Sequence, residues 1–220
     1  MTPLVIIGAG GHGRETLDIV QAINARAATF EFLGFVDERT DNESLVAARG
    51  SHILGPLASL RDREQQIRYV IGIGVSSHRR QIDRQLTEWG FEAAVLVHPD
   101  ATLGAFVALG PGVVIAAGAR ITTNVTLGRH AHVNVNASVS HDCRIADYVT
   151  VSPGVTVSGN VSIGEGTLVG AGSTVIQNLS IGAWVTVGAG AVVVTDLPDA
   201  VTAVGIPARP RPASISRVRR

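Results

Sequence analysis

The chain has 220 residues, 45% of them hydrophobic, enough for one large or two small packed domains. Its eighteen cations, all arginine, balance eighteen acids, so no basic field marks a nucleic-acid or anionic-membrane surface, and the expected partners are small molecules or further copies of the chain. The single cysteine, Cys143, excludes an internal disulfide, and the absence of a signal-peptide pattern or a membrane-length apolar stretch makes the cytoplasm the expected location.

The stretch "PLVIIGAGGHGRETLDIV" reads as a strand over 4–7, a glycine turn, and a helix over 13–26. Gly8, Gly10 and Gly13 fit G-x-G-x-x-G, the spacing that lets backbone approach a diphosphate at a helix N-terminus. A second strand, 31–36, runs into Asp37 and Glu38, where a dinucleotide fold carries its ribose-binding acid. Further strands at 52–54 and 69–73 and a helix at 76–89 leave no room for a second nucleotide-binding half. The expectation is a half-Rossmann α/β unit over 1–98 that holds one nucleotide diphosphate. A full NAD site and a tight turn that binds nothing are its alternatives.

From Leu103 to Val193 every sixth residue is Leu, Ile or Val, sixteen without a break. Two positions earlier in each hexad stands another small or aliphatic residue, so each hexad offers two inward side chains at strand spacing. The third position after each aliphatic residue, from Gly112 to Asp196, is mostly Gly, Asn or Asp, residues that tolerate positive φ and so mark a corner. Three hexads make a three-sided coil, and at that period the corners sort into edges. One carries Asn124, Asp142, Asn160, Asn178 and Asp196; another carries Gly118, Asn136, Gly154, Gly172 and Gly190. Stacked coils bury what single coils cannot. This predicts a β-solenoid over 99–196, with five coils from 103 to 192 about 24 Å tall, and a C-terminal tail over 197–220. The 25 glycines and 4% aromatic content suit such a column.

Within the column His141 falls just before the Asp142 corner and points outward, with a carboxylate beside it able to set its tautomer and raise its basicity. Asp142 is explained equally by its place on the corner ladder. Cys143 occupies an inward position and is expected in the core. His130 takes a corner and His132 an outward strand position, and neither has a third partner for a metal. Tyr148 and Trp184 break the small-residue rule at the corner they share with His130, which suggests contact with a neighbouring column or an exposed aromatic.

The units "IGEGTL", "VGAGST", "IGAWVT" and "VGAGAV" resemble those of the hexapeptide-repeat acyltransferases, whose coils form a left-handed parallel β-helix. With "GAGGHG" opening a small α/β domain ahead of it, nearly the whole chain resembles the bacterial nucleotide-sugar acetyltransferases of the pilin-glycosylation and sialic-acid type. The resemblance implies a homotrimer with sites between subunits, and acetyl-CoA as donor. It implies transfer to the 4-amino group of a nucleotide-linked 4-amino-4,6-dideoxy sugar in surface-polysaccharide synthesis, GDP-linked perosamine first among such acceptors. His141 is then the general base, with Asp142 beside it. Gly10, Gly11 and His12 would line the diphosphate, and Asp37 would contact a base that is either guanine or uracil. Asn134 would lie near the sugar, or is simply an exposed strand residue. Acetyl-CoA would lie along main chain at Gly159, Ala171 and Ala189. Thr150 stands where the family has a cofactor-contacting histidine. "AVGIPARPRP" resembles the family's ending, with Arg209 near a CoA phosphate or merely solvated. No metal is implied. An O-acetyltransferase of the same fold, an NAD-dependent oxidoreductase and a non-catalytic scaffold are the rival readings.

Overall fold

The computed structural model describes residues 1–61, 63 and 66–211. Its N-terminal part is a four-stranded parallel sheet in the order β2-β1-β3-β4, built from β1 (Thr2–Ile7), β2 (Phe30–Val36), β3 (Arg68–Ile71) and β4 (Glu92–Ala93). The helices α1 (Gly11–Arg26), α2 (Glu43–Ala47) and α3 (Ser76–Glu88) connect them, with one 3-10 turn at Leu57–Leu60. The run Leu4-Val5-Ile6-Ile7 is buried throughout, as a central parallel strand requires. Alternation then decides which helix covers which face. Leu4 and Ile6 pack with Leu17 and Val20 of α1, whereas Val5 and Ile7 pack with Leu86 of α3. Each such side chain contributes about 1.5–3 kcal/mol by burial. The segment expected as a strand at 52–54 makes only a single bridge, Phe35 to Ile53.

The glycine turn is shaped by contact as well as conformation. Gly8 has φ +98°, and a Cβ on Gly13 would lie 1.9 Å from the Gly8 carbonyl oxygen. Helix α1 can therefore start against the turn only if residue 13 has no side chain.

The remainder is a three-sided β-solenoid whose faces are parallel sheets of two-residue strands. Registers advance by one coil: His132 pairs with Val114 below and Thr150 above. The inward aliphatics form one continuous core from Val113 to Ala208. Thr167 and Ser173 are buried in that column too, and each hydroxyl is satisfied by donating to a main-chain carbonyl. Positive φ occurs at every expected corner from Gly112 to Gly190 and one hexad earlier at Phe106.

Two differences mark the ends. The column has about six turns rather than five, because Leu96–Val97 already pairs with Val114–Ile115 and Thr202–Val204 caps the far end. Asp196 is not a left-handed corner. Thr186 pairs with Thr202 after only sixteen residues, the positive φ moves to Ala200, and the Asp196 carboxylate accepts the Ser180 N–H instead. Arg209–Arg211 then folds back antiparallel on Thr202–Val204. The rest of the expected tail, 212–220, lies outside the described residues.

Candidate active site

A cleft of about 760 Å³ opens at the C-terminal ends of the parallel strands, where open α/β sheets bind ligands. Gly10, Gly11 and His12 form one wall, Asp37 and Glu38 another, and Gly72 and Gly74 a third. Gly10 is the N-cap of α1, and neither a capping side chain nor an acid in the first turn occupies the helix's free N–H groups, which leaves them available to an anion. Asp37 braces this turn: its Oδ2 accepts the Ala9 N–H at 2.7 Å and its Oδ1 the Arg39 N–H at 2.9 Å.

His141 lies on a different part of the molecule. It stands on a solenoid edge with its side chain 60% exposed, and its Nδ1 lies 2.7 Å from Asp142 Oδ2. A carboxylate only accepts, so Nδ1 carries the proton and Nε2 presents its lone pair outward. Asp142 is itself held twice, by φ +62° at the corner and by the Asn124 amide donating to Oδ1 at 2.5 Å. Those bonds from Asn124 and His141 lower its pKa. Both explanations of Asp142 are therefore present in one residue. Gly159, one coil above His141, leaves the space the ring fills: a Cβ there would lie 2.4 Å from the imidazole. Cys143 is 1% exposed, and burial pushes its thiol up, which disqualifies it as a nucleophile.

The candidate residues thus fall into separate groups within one chain. Every residue lining the cleft belongs to the N-terminal part, and His141 is not among them. Asn134 donates to the Val151 carbonyl at 2.9 Å. Ala171 and Ala189 are exposed beside the edge that carries Gly172 and Gly190, and Arg209 is exposed on the terminal hairpin. Thr150 is buried, with its hydroxyl accepting from Arg79 at 2.8 Å, so its side chain is committed to the seam between the two parts.

That seam corrects several expectations. Helix α3 lies along the third edge over His130 and Tyr148 and the start of α1 meets His132, so the three are 0%, 6% and 1% exposed: outward from the column, but covered by the chain's own N-terminal part rather than by a neighbour or solvent. Trp184 is half-buried under Arg80 of α3, whose guanidinium lies 5.5 Å from the ring centre. At the centre is Asp83, which accepts from Tyr69 and Tyr148 hydroxyls at 2.5 Å each, from Arg129 through two nitrogens at 2.6 Å, and from His130 at 2.8 Å. Burial pushes this carboxyl up, but the bonds from His130, Arg129 and Tyr148 hold it well below the usual carboxylate range. Arg79, fully buried, donates to the carbonyls of Ile73, Gly74 and Tyr148. Sequence reasoning passed over Arg79, Asp83 and Arg129. The available signal was the i, i+4 pair Arg79 and Asp83 on one helix face together with the corner column of His130, Tyr148 and Trp184.

This seam makes stability depend on pH in a defined direction. Burial pushes His130 and His132, and His12 with them, below the ordinary value of about 6.5. Below that pH the unfolded chain binds protons that the folded chain refuses, so stability falls on acidification by up to about 1.4 kcal/mol per pH unit for each histidine. Urea unfolding at pH 7.5 and 5.5 should show the lower midpoint at 5.5, and equal midpoints would contradict the assignment.

A half-Rossmann cleft joined to a hexapeptide solenoid with an outward His-Asp pair defines an acyltransferase of the β-helix class with a nucleotide-binding domain. Residues 3–86 match the family model for the PglD N-terminal domain. A GDP-perosamine N-acetyltransferase of Escherichia coli O157:H7 is 31% identical over 128 residues, a match spanning 58% of this chain and only 57% of that protein. Two solved structures are similar over almost their full length. The acetyltransferase domain of PglB from Neisseria gonorrhoeae FA1090, in complex with acetyl coenzyme A, is 36% identical with a TM-score of 0.88, covering 96% of this chain and 99% of that one. A histidine-to-alanine mutant of GDP-perosamine N-acetyl transferase from Caulobacter crescentus, in complex with CoA and GDP-perosamine, is 34% identical with a TM-score of 0.84, covering 95% and 96%. The chain belongs to the hexapeptide-repeat nucleotide-sugar acetyltransferases, and its solenoid is their left-handed β-helix. Among the described residues no helix is long and apolar enough to cross a membrane, and no group of three or more His, Cys, Asp or Glu side chains is placed to hold a metal ion.

Proposed function

We propose that the protein transfers the acetyl group of acetyl-CoA to the 4-amino group of a nucleotide-linked 4-amino-4,6-dideoxy sugar, with GDP-perosamine as the specific acceptor, in cytoplasmic synthesis of a lipopolysaccharide O-antigen. The observation that carries this is the exposed His141 imidazole with Nδ1 bonded to Asp142 and Nε2 left free. As the amine attacks the thioester carbonyl, Nε2 takes its proton, and Asp142 stabilises the imidazolium that results. The C–N bond forms and the C–S bond breaks as the tetrahedral intermediate collapses, and the imidazolium returns its proton to the departing CoA thiolate. Transfer is direct, since the one cysteine is sealed in the core.

In this reading Gly10, Gly11 and His12 receive the diphosphate and Asp37 the base, for which the carboxylate suits guanine or uracil. Asn134, its amide nitrogen pinned to Val151, turns its remaining oxygen to the sugar. The main chain at Gly159, Ala171 and Ala189 borders acetyl-CoA, with Arg209 at a phosphate. His141 and the two alanines lie at different edges of the column and the cleft is lined by the N-terminal part alone, which supports a homotrimer whose sites form between copies.

The test is incubation with acetyl-CoA and a panel of GDP- and UDP-linked amino and hydroxy sugars, followed by mass spectrometry. An N-acetylated 4-amino sugar nucleotide is expected. Acetylation of hydroxy sugars alone would make it an O-acetyltransferase, and binding of NAD(H) with no acetyl transfer would overturn the reading.

A further inference from the structure

We propose that His132, a residue of the solenoid, is a positioning residue for the nucleotide cleft: it donates a hydrogen bond that fixes the ring of His12 and makes that ring a donor to a bound diphosphate. The inference rests on the nucleotide-sugar reading above.

His12 sits in the first turn of α1 in the cleft wall. Its Nε2 lies 3.0 Å from Nδ1 of His132, with ring centres 5.2 Å apart and planes tilted by 42°. His132 is 1% exposed and its Nε2 is buried without a partner among the described residues. One proton must lie between the two facing nitrogens, and the surroundings decide whose it is. His12 Nδ1 faces the Glu15 carboxylate at 3.4 Å. A carboxylate only accepts, so that nitrogen carries the His12 proton and Nε2 is a bare lone pair. The proton between the rings therefore belongs to His132 Nδ1. His132 Nε2 is left as a lone pair in the field of Arg79, which is bound to Thr150, the register partner of His132 one coil on. Beside a cation an unpaired lone pair costs less than an unpaired N–H.

The consequence lies in the cleft. With its Nε2 filled, His12 has one free donor, Nδ1–H, held only by Glu15, which is 75% exposed. A diphosphate oxygen at the helix N-terminus replaces that carboxylate as acceptor. In the opposite tautomer Nδ1 would turn a lone pair towards the phosphate and repel it.

GDP and UDP binding by calorimetry, with steady-state kinetics, test this in two variants. His132→Leu keeps the bulk and removes the donor, whereas His132→Asn places an amide N–H where Nδ1–H stood. Loss of one buried hydrogen bond predicts about 10-fold weaker nucleoside diphosphate binding and a similar rise in KM for the sugar nucleotide in His132→Leu. Its kcat and its KM for acetyl-CoA should stay within about twofold, with His132→Asn within about threefold of the parent. In a His12→Ala background His132→Leu should add nothing. Unchanged binding in His132→Leu, or the same loss in the His12→Ala background, would overturn the proposal. Should the leucine variant fail to fold, long-range proton–nitrogen spectra of the histidine-labelled parent decide: both rings must be protonated at Nδ1, and any other tautomer pair refutes it. A parent protein that binds neither GDP nor UDP would instead remove the nucleotide reading, while the spectra still judge the bond.

Discussion

Replacing His141 with asparagine is expected to lower kcat about 10²- to 10⁴-fold, the range that a positioned general base supplies, with little change in either KM. Asparagine retains an N–H for the Asp142 carboxylate and a similar size, so the edge should keep its shape. It has no nitrogen lone pair of useful basicity, so the amine must lose its proton to water. Asp142→Asn isolates the second half of the pair. Asparagine occupies the same kind of corner at positions 124, 136, 160 and 178, all with φ between 54° and 58° or at 63°, so the fold should be indifferent to the exchange. The charge that steadies the imidazolium is lost, and kcat should fall by about 10-fold, a smaller step than removal of the base itself. Steady-state kinetics on both variants, with circular dichroism to confirm the column, check this. Full activity in His141→Asn would place the base elsewhere.

The second large effect is on stability. Asp83→Ala is expected to cost about 3–5 kcal/mol, the usual penalty for stripping one partner from a buried charge cluster, because Arg129, Tyr69, Tyr148 and His130 all lose an acceptor at once. Removal of the whole cluster by apolar replacements would cost less, since the penalty comes from the orphaned donors rather than from the ion pair itself. The damage should be local. The cluster on the α3 face of the sheet is separate from the solenoid core, whereas the α1 face stays joined to the first coil through Leu96, Val114 and Ala116. Urea unfolding followed by Trp89 and Trp184 fluorescence should therefore show early release of the N-terminal part, and GDP binding should weaken with it. A midpoint unchanged from the parent would show that the seam contributes little.

The two halves of the molecule differed in how openly their residues announced them. The solenoid was legible almost to the residue, because a six-residue step repeats one local decision many times: an inward pair, an outward strand position, a corner with positive φ. The corners read from Gly112 to Gly190 are all left-handed, and the inward positions are the core. The repeat failed only at its ends, where a tightened last coil moved the corner from Asp196 to Ala200. The glycine turn was legible for a similar local reason, since Gly8 and Gly13 are required by backbone contact. The seam was not. "Outward from the column" was correct for His132 and Tyr148, but outward does not mean exposed once another part of the same chain covers the edge.

From residues alone, then, came everything set by neighbours along the chain: the hexad column, its corners, the glycine turn, and an imidazole beside an acid at an outward edge. The packing of α3 against the third edge settled the rest. It buried Asp83 and Arg79 in a shared network, and the neighbouring start of α1 joined His12 to His132. Local periodicity is written in short-range sterics, whereas the contacts across the seam link residues 42 to 120 positions apart, and only the folded chain chooses which of its surfaces meet.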